Sequence, residues 1–136
     1  MNVRNILAIA AVAVLAAGCQ SETKSLGPVS APGKSASLRA MEQVAIAAHR
    51  CWFASKDDAF KPYRMANELN SFSGTPRFLL VPARNYGGLP LLVVQASGGS
   101  SRVETFGPLM QEPLGARIRA DLSRWSGGDS SCGAAA

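Results

Sequence analysis

Three short apolar runs, each opened by a glycine-containing turn, restrict this chain more than any other feature. "RFLLV" (Arg77 to Val81) follows "SGTP", "LPLLVVQA" (Leu89 to Ala96) follows "NYGG", and "RVETF" (Arg102 to Phe106) follows "SGGSS". Strand-length runs separated by such turns predict an antiparallel meander. "YRMANEL" adds a candidate fourth strand at its front. Pro90 lacks a backbone donor, so it fits only the start or edge of a strand.

A helix precedes the meander and another follows it. Leu38, Met41, Ala45, Ala48 and Trp52 recur at spacings of three and four, which predicts an amphipathic helix. Val44 and Cys51 flank that stripe on one side, Ile46 and Phe53 on the other, while Arg39, Gln43 and Arg50 take the opposite face. Ser35 or Ser37 suits the N-cap, and "SKDD" closes the helix near Ser55. A second helix is expected from Pro113 to Trp125. Proline fits its first position, Leu114, Ile118, Leu122 and Trp125 form its stripe, and Gly127 with Gly128 end it. The fold class is therefore α+β: an N-terminal helix, a three- or four-stranded antiparallel meander and a C-terminal helix, with the helices over one sheet face. No internal repeat is present.

The N-terminus has a different character. "MNVRN" is positively charged, and Ile6 to Ala17 is apolar throughout. As a helix this stretch spans roughly 18 Å, short of the roughly 30 Å hydrocarbon core, so it reads as a secretory signal and not a membrane span. It ends in "LAAGC" (Leu15 to Cys19), which resembles the lipobox of bacterial lipoproteins, with Ala16 where leucine is commoner. The resemblance implies cleavage between Gly18 and Cys19. It also implies a diacylglyceryl group on the Cys19 thiol and an acyl chain such as palmitate on the freed amino group. Gln20, in place of aspartate, implies sorting to the outer membrane, facing the periplasm. The alternative is an ordinary signal peptide that happens to end near a buried cysteine. "LNSFSGTPRFLLVPARN" and "FGPLMQEPLGARI" resemble, weakly, small uncharacterised envelope lipoproteins of alphaproteobacteria, over roughly residues 38–132, but that brings no activity or site residues.

These readings divide the chain into a signal peptide (1–18), a lipidated cysteine and tether (19–37), a domain (38–132) and a tail (133–136). The tether is rich in Ser, Gly and Pro, with only Leu26 and Val29 as large aliphatic residues. Such a segment buries too little apolar area to offset the entropy of ordering it. Its mean reach as a coil is roughly 20–25 Å.

Once Cys19 is set aside, Cys51 and Cys132 form an even pair in an oxidising compartment, which predicts a disulfide clasping the two helical segments. Two separate thiols are the alternative. Loss of Arg4 with the leader leaves 13 lysines and arginines against 9 acidic residues. The surface is mildly basic, yet export and the lack of any lysine-rich or aromatic–basic tract argue against nucleic acid.

Catalytic patterns are missing from the sequence. His49 is the only histidine, and it falls at the margin of the apolar face, where a partly buried structural role is expected. There is no G-x-S-x-G, no C-x-x-C or H-x-x-x-H spacing and no phosphate-cradling loop, and "KDD" at 56–58 has no calcium-loop pattern. The expectation is no enzyme, no cofactor and no metal. Binding features remain. Arg117 and Arg124 flank Asp121 on the second helix, either as surface ion pairs or as a cationic face for an anionic partner. The sheet face opposite the helices is a second candidate surface, with any free edge strand open to strand addition. Tyr86 in "ARNYGGLP" sits beside two glycines, where an exposed loop would fill a partner's cleft. The sequence thus predicts a membrane-anchored envelope lipoprotein that acts through a protein partner, with an inhibitor or ligand-binding lipoprotein as the alternative.

Overall fold

The computed structural model describes residues 33–97 and 99–133. Gly18, Cys19, the lipobox, most of the expected tether and residues 134–136 lie outside the described residues.

Helix α1 runs Ala36–Ala48 and continues without a break as a π-helical stretch, His49–Ala54. Ser35 is the N-cap, its side chain accepting from the Leu38 N–H at 3.1 Å. The folded part therefore begins slightly before Leu38, and Ser37 is buried. At the far end the Ser55 N–H donates to Arg50 O at 3.1 Å, the five-residue span of a π-turn.

A short 3-10 turn, Asp58–Phe60, leads into four strands: β1 Tyr63–Glu68, β2 Arg77–Pro82, β3 Leu92–Ala96 and β4 Val103–Phe106. They form one antiparallel sheet in the order β1-β2-β3-β4. The predicted meander is present with all four strands. Its third strand begins later than the apolar run suggests, because Pro90 lies outside it and Leu91 instead donates to Leu80 O at 2.8 Å. A second 3-10 turn, Pro108–Gln111, precedes helix α2, Pro113–Ser126.

Alternation sorts the sheet into two faces. Phe78 and Leu80 on β2, with Leu92, Val94 and Ala96 on β3, point into the core. Met41, Val44, Ala45, Ala48 and Trp52 meet them from α1, and Ile118, Leu122 and Trp125 from α2. Trp52 is the hub: its ring stacks on Phe60 at 4.5 Å and lies 5.1 Å from Trp125 and 6.4 Å from Phe78. The disulfide Cys51–Cys132 is formed, with Cα atoms 5.3 Å apart across 81 residues of sequence. No helix of the described residues is long and apolar enough to cross a membrane.

The helical layer is not centred on the sheet. α1 packs over β3 and β4, and α2 over β4. Among the described residues β1 has no strand on its outer side, and only Tyr63 and Met65 of its side chains pack partly against the core.

Candidate functional site

The offset leaves a groove of about 740 Å³ between the outer side of α1 and the helix-side face of β1. That volume lies within the range of small-ligand and peptide-accepting clefts. Its apolar wall is Ala45, Ile46, Ala54, Met65 and Leu69, and its rim is Lys34, Glu42, His49, Arg50 and Asn67. Ile46 is 66% exposed, an unusual state for an isoleucine beside a core helix. Lys34 closes one end through its ammonium, 2.7 Å from a Glu42 carboxylate oxygen.

Register identifies which main-chain groups of β1 are free. The Ala83 N–H donates to Pro62 O at 2.8 Å. Antiparallel bonding alternates from that pair, so Arg64, Ala66 and Glu68 bond to Val81, Leu79 and Arg77 of β2. Tyr63, Met65 and Asn67 direct their N–H and C=O groups away from the sheet. Met65 and Asn67 are also the β1 side chains that line the groove. Main-chain bonding capacity and a side-chain recess thus coincide at the same two residues.

The sequence candidates fall in different places. His49 is exposed at the groove rim, which corrects the expectation of a partly buried histidine; the π-turn carries it outward while Cys51 and Trp52 turn in. Arg117 and Arg124 do flank Asp121, but Asp121 is only 3% exposed, so this is no surface ion pair. Its Oδ2 accepts from the Trp52 indole N–H at 2.8 Å, and its Oδ1 accepts from Arg124. Arg117 reaches across to Asp57, places its Nε 3.7 Å from Asp121 and lies 5.3 Å above the Phe60 ring. The hydrogen bond from Arg117 holds the Asp57 carboxyl below the usual carboxylate range, burial opposes this, and the Ala59 N–H assists. Both guanidinium groups are engaged inside the protein and do not form an open cationic face.

Tyr86 is 60% exposed, and Leu89 beside it is 85% exposed, on the β2–β3 connection. Among the described residues no cluster of three or more His, Cys, Asp or Glu side chains is arranged for a metal ion. A second groove, about 680 Å³, lies between β4 and α2 and is lined by Val103, Thr105, Met110 and Arg119 among others.

The residues missed in sequence were Ile46, Met65, Asn67 and Leu69. Ile46 carried a signal: at 3.6 residues per turn it lies about 120° from the centre of the α1 stripe, too far round to join the core. No known protein family, no curated protein and no solved structure matches this chain.

Proposed function

We propose that this chain is a lipid-anchored protein of the bacterial envelope, held through Cys19 at the periplasmic face of the outer membrane. Its domain binds an extended segment of a protein partner in the groove beside β1. The anchor rests on the lipobox resemblance. The binding mode rests on one observation: among the described residues nothing pairs the outward main-chain groups of Met65 and Asn67 at the sheet edge, and their side chains line the groove. A strand added there gains backbone hydrogen bonds and a recess for alternate side chains together. This reading needs no catalytic step, and His49 serves as rim.

A second reading, an inhibitor whose β2–β3 connection enters a partner's cleft, is favoured by the exposure of Tyr86 and Leu89. The two are separated by placing a photo-crosslinking residue at position 46 or 86 of the full-length protein in intact envelopes. The groove reading expects a discrete crosslinked product from position 46 and none from 86. The reverse outcome, or no product above an exposed control at Ser123, overturns it. The anchor is tested by mass spectrometry of the mature protein, where an acylated Cys19 is expected at the new N-terminus and an unmodified thiol defeats the assignment.

A further inference from the structure

The free edge of β1 fits one occupant by its charges, an inference that rests on reading β1 as a strand-addition site. The geometry points to a second copy of this chain: β1 pairs antiparallel with its own counterpart, Met65 opposite Asn67 of the other copy, with Ala66 on the two-fold axis.

Edge strands are ordinarily blunted by proline, lysine, a bulge or a covering element. Among the described residues β1 has no proline, lysine, bulge or covering element across Tyr63–Glu68; its charges, Arg64 and Glu68, are of opposite sign, and its pairing with β2 runs unbroken. It is also the longer edge, six residues against four in β4.

Bonding restricts the register. Only Tyr63, Met65 and Asn67 offer outward main-chain groups, so these residues must face one another across the seam. Arg64, Ala66 and Glu68 then meet on the sheet face away from the helices. Slides centred on Met65 or Asn67 leave Arg64 and Glu68 without an opposite charge across the seam; one further slide sets Arg64 against Arg64, and another sets Glu68 against Glu68. Like charges directly opposite are unfavourable. With Met65 opposite Asn67, each Arg64 faces a Glu68 on either side of the axis, and two small Ala66 side chains meet at the centre. Glu68 accepts from Arg77 through Oε2 at 2.6 Å, which leaves Oε1 for this contact.

Space permits the arrangement. The two-fold axis is perpendicular to the sheet, so both helical layers lie on the same side, each set back over its own β3 and β4. The result is one continuous eight-stranded sheet, with the two grooves opening toward the seam.

Residues opposed in a non-hydrogen-bonded antiparallel pair have Cα atoms about 4.5 Å apart, within reach of a disulfide. Ala66→Cys in the full-length protein, in intact envelopes, is expected to give a covalent dimer that reductant dissolves, whereas Ser123→Cys stays monomeric. In detergent, Arg64→Glu is expected to weaken dimerisation about tenfold, and the exchanged pair R64E/E68R to restore most of it. The unaltered protein provides a readout independent of variant folding: the Met65 and Asn67 amides should become protected from hydrogen exchange as its concentration rises. Equal crosslinking at residues 66 and 123, crosslinking at Met65→Cys in place of position 66, no rescue by the exchange, or concentration-independent amide exchange overturns the inference. A monomer whose position 46 still captures a different polypeptide ends self-pairing and leaves the groove reading standing. Silence in both assays ends both.

Discussion

The indole N–H of Trp52 donates to Asp121 Oδ2 at 2.8 Å, joining α1's π-stretch to α2 through a buried carboxylate. Asp121 also holds Arg124 and faces Arg117, so its loss takes the carboxylate from the Trp52 indole donor and the Arg124 guanidinium, while Arg117 keeps Asp57. Removing one partner from such a cluster costs about 3–5 kcal/mol. Asp121→Ala should lower stability by that order in urea denaturation. Asp121→Asn, which keeps an acceptor for Trp52, should cost less.

The Cys51–Cys132 bridge spans 81 residues, most of the folded part. Chain-entropy reasoning sets its contribution at about 4–5 kcal/mol as an upper figure, and about 2–4 kcal/mol is typical. The double variant C51A/C132S should therefore unfold at much lower denaturant. Added reductant should shift the parent protein toward it and leave the variant unchanged.

Asp57 contributes a pH dependence of known sign. Its folded pKa lies below the ordinary aspartate value, chiefly through the Arg117 hydrogen bond. The stabilisation is present above the unfolded value and disappears as pH falls through the folded one. Denaturation midpoints should fall as the pH drops below the ordinary aspartate range, and Asp57→Asn should flatten that part of the curve.

Gly107 follows β4 at φ 126°, and a Cβ there would stand 2.5 Å from Leu91 O. The close approach lets the Leu109 N–H donate to the same carbonyl at 3.0 Å. Gly107→Ala should cost about 2 kcal/mol or more, read from thermal or denaturant unfolding, with Gly99→Ala nearly neutral as the comparison.

Both helices, the strand runs and the disulfide were legible because each has a local or compositional signature: a three-four stripe, an alternating run after a glycine turn, an even pair of cysteines. β1 was the faintest strand. Asn67 sits exposed on its helix-side face, so the alternation that marks β2 and β3 is broken at the open edge of the sheet. The groove was illegible for the same reason: no local pattern tells how far a helical layer is displaced across a sheet. Asp121 was misjudged as a surface residue because its decisive partner, Trp52, is 69 residues away in sequence.

The sulfur bridge has a consequence for how damage to this molecule is detected. Nearly every exposed connection, the Tyr86 hairpin among them, lies between residues 51 and 132. A protease that cuts there severs the backbone but frees no fragment. Nicked and whole molecules migrate together in size separation until a thiol is added, so a preparation judged homogeneous without reductant can already be in two pieces.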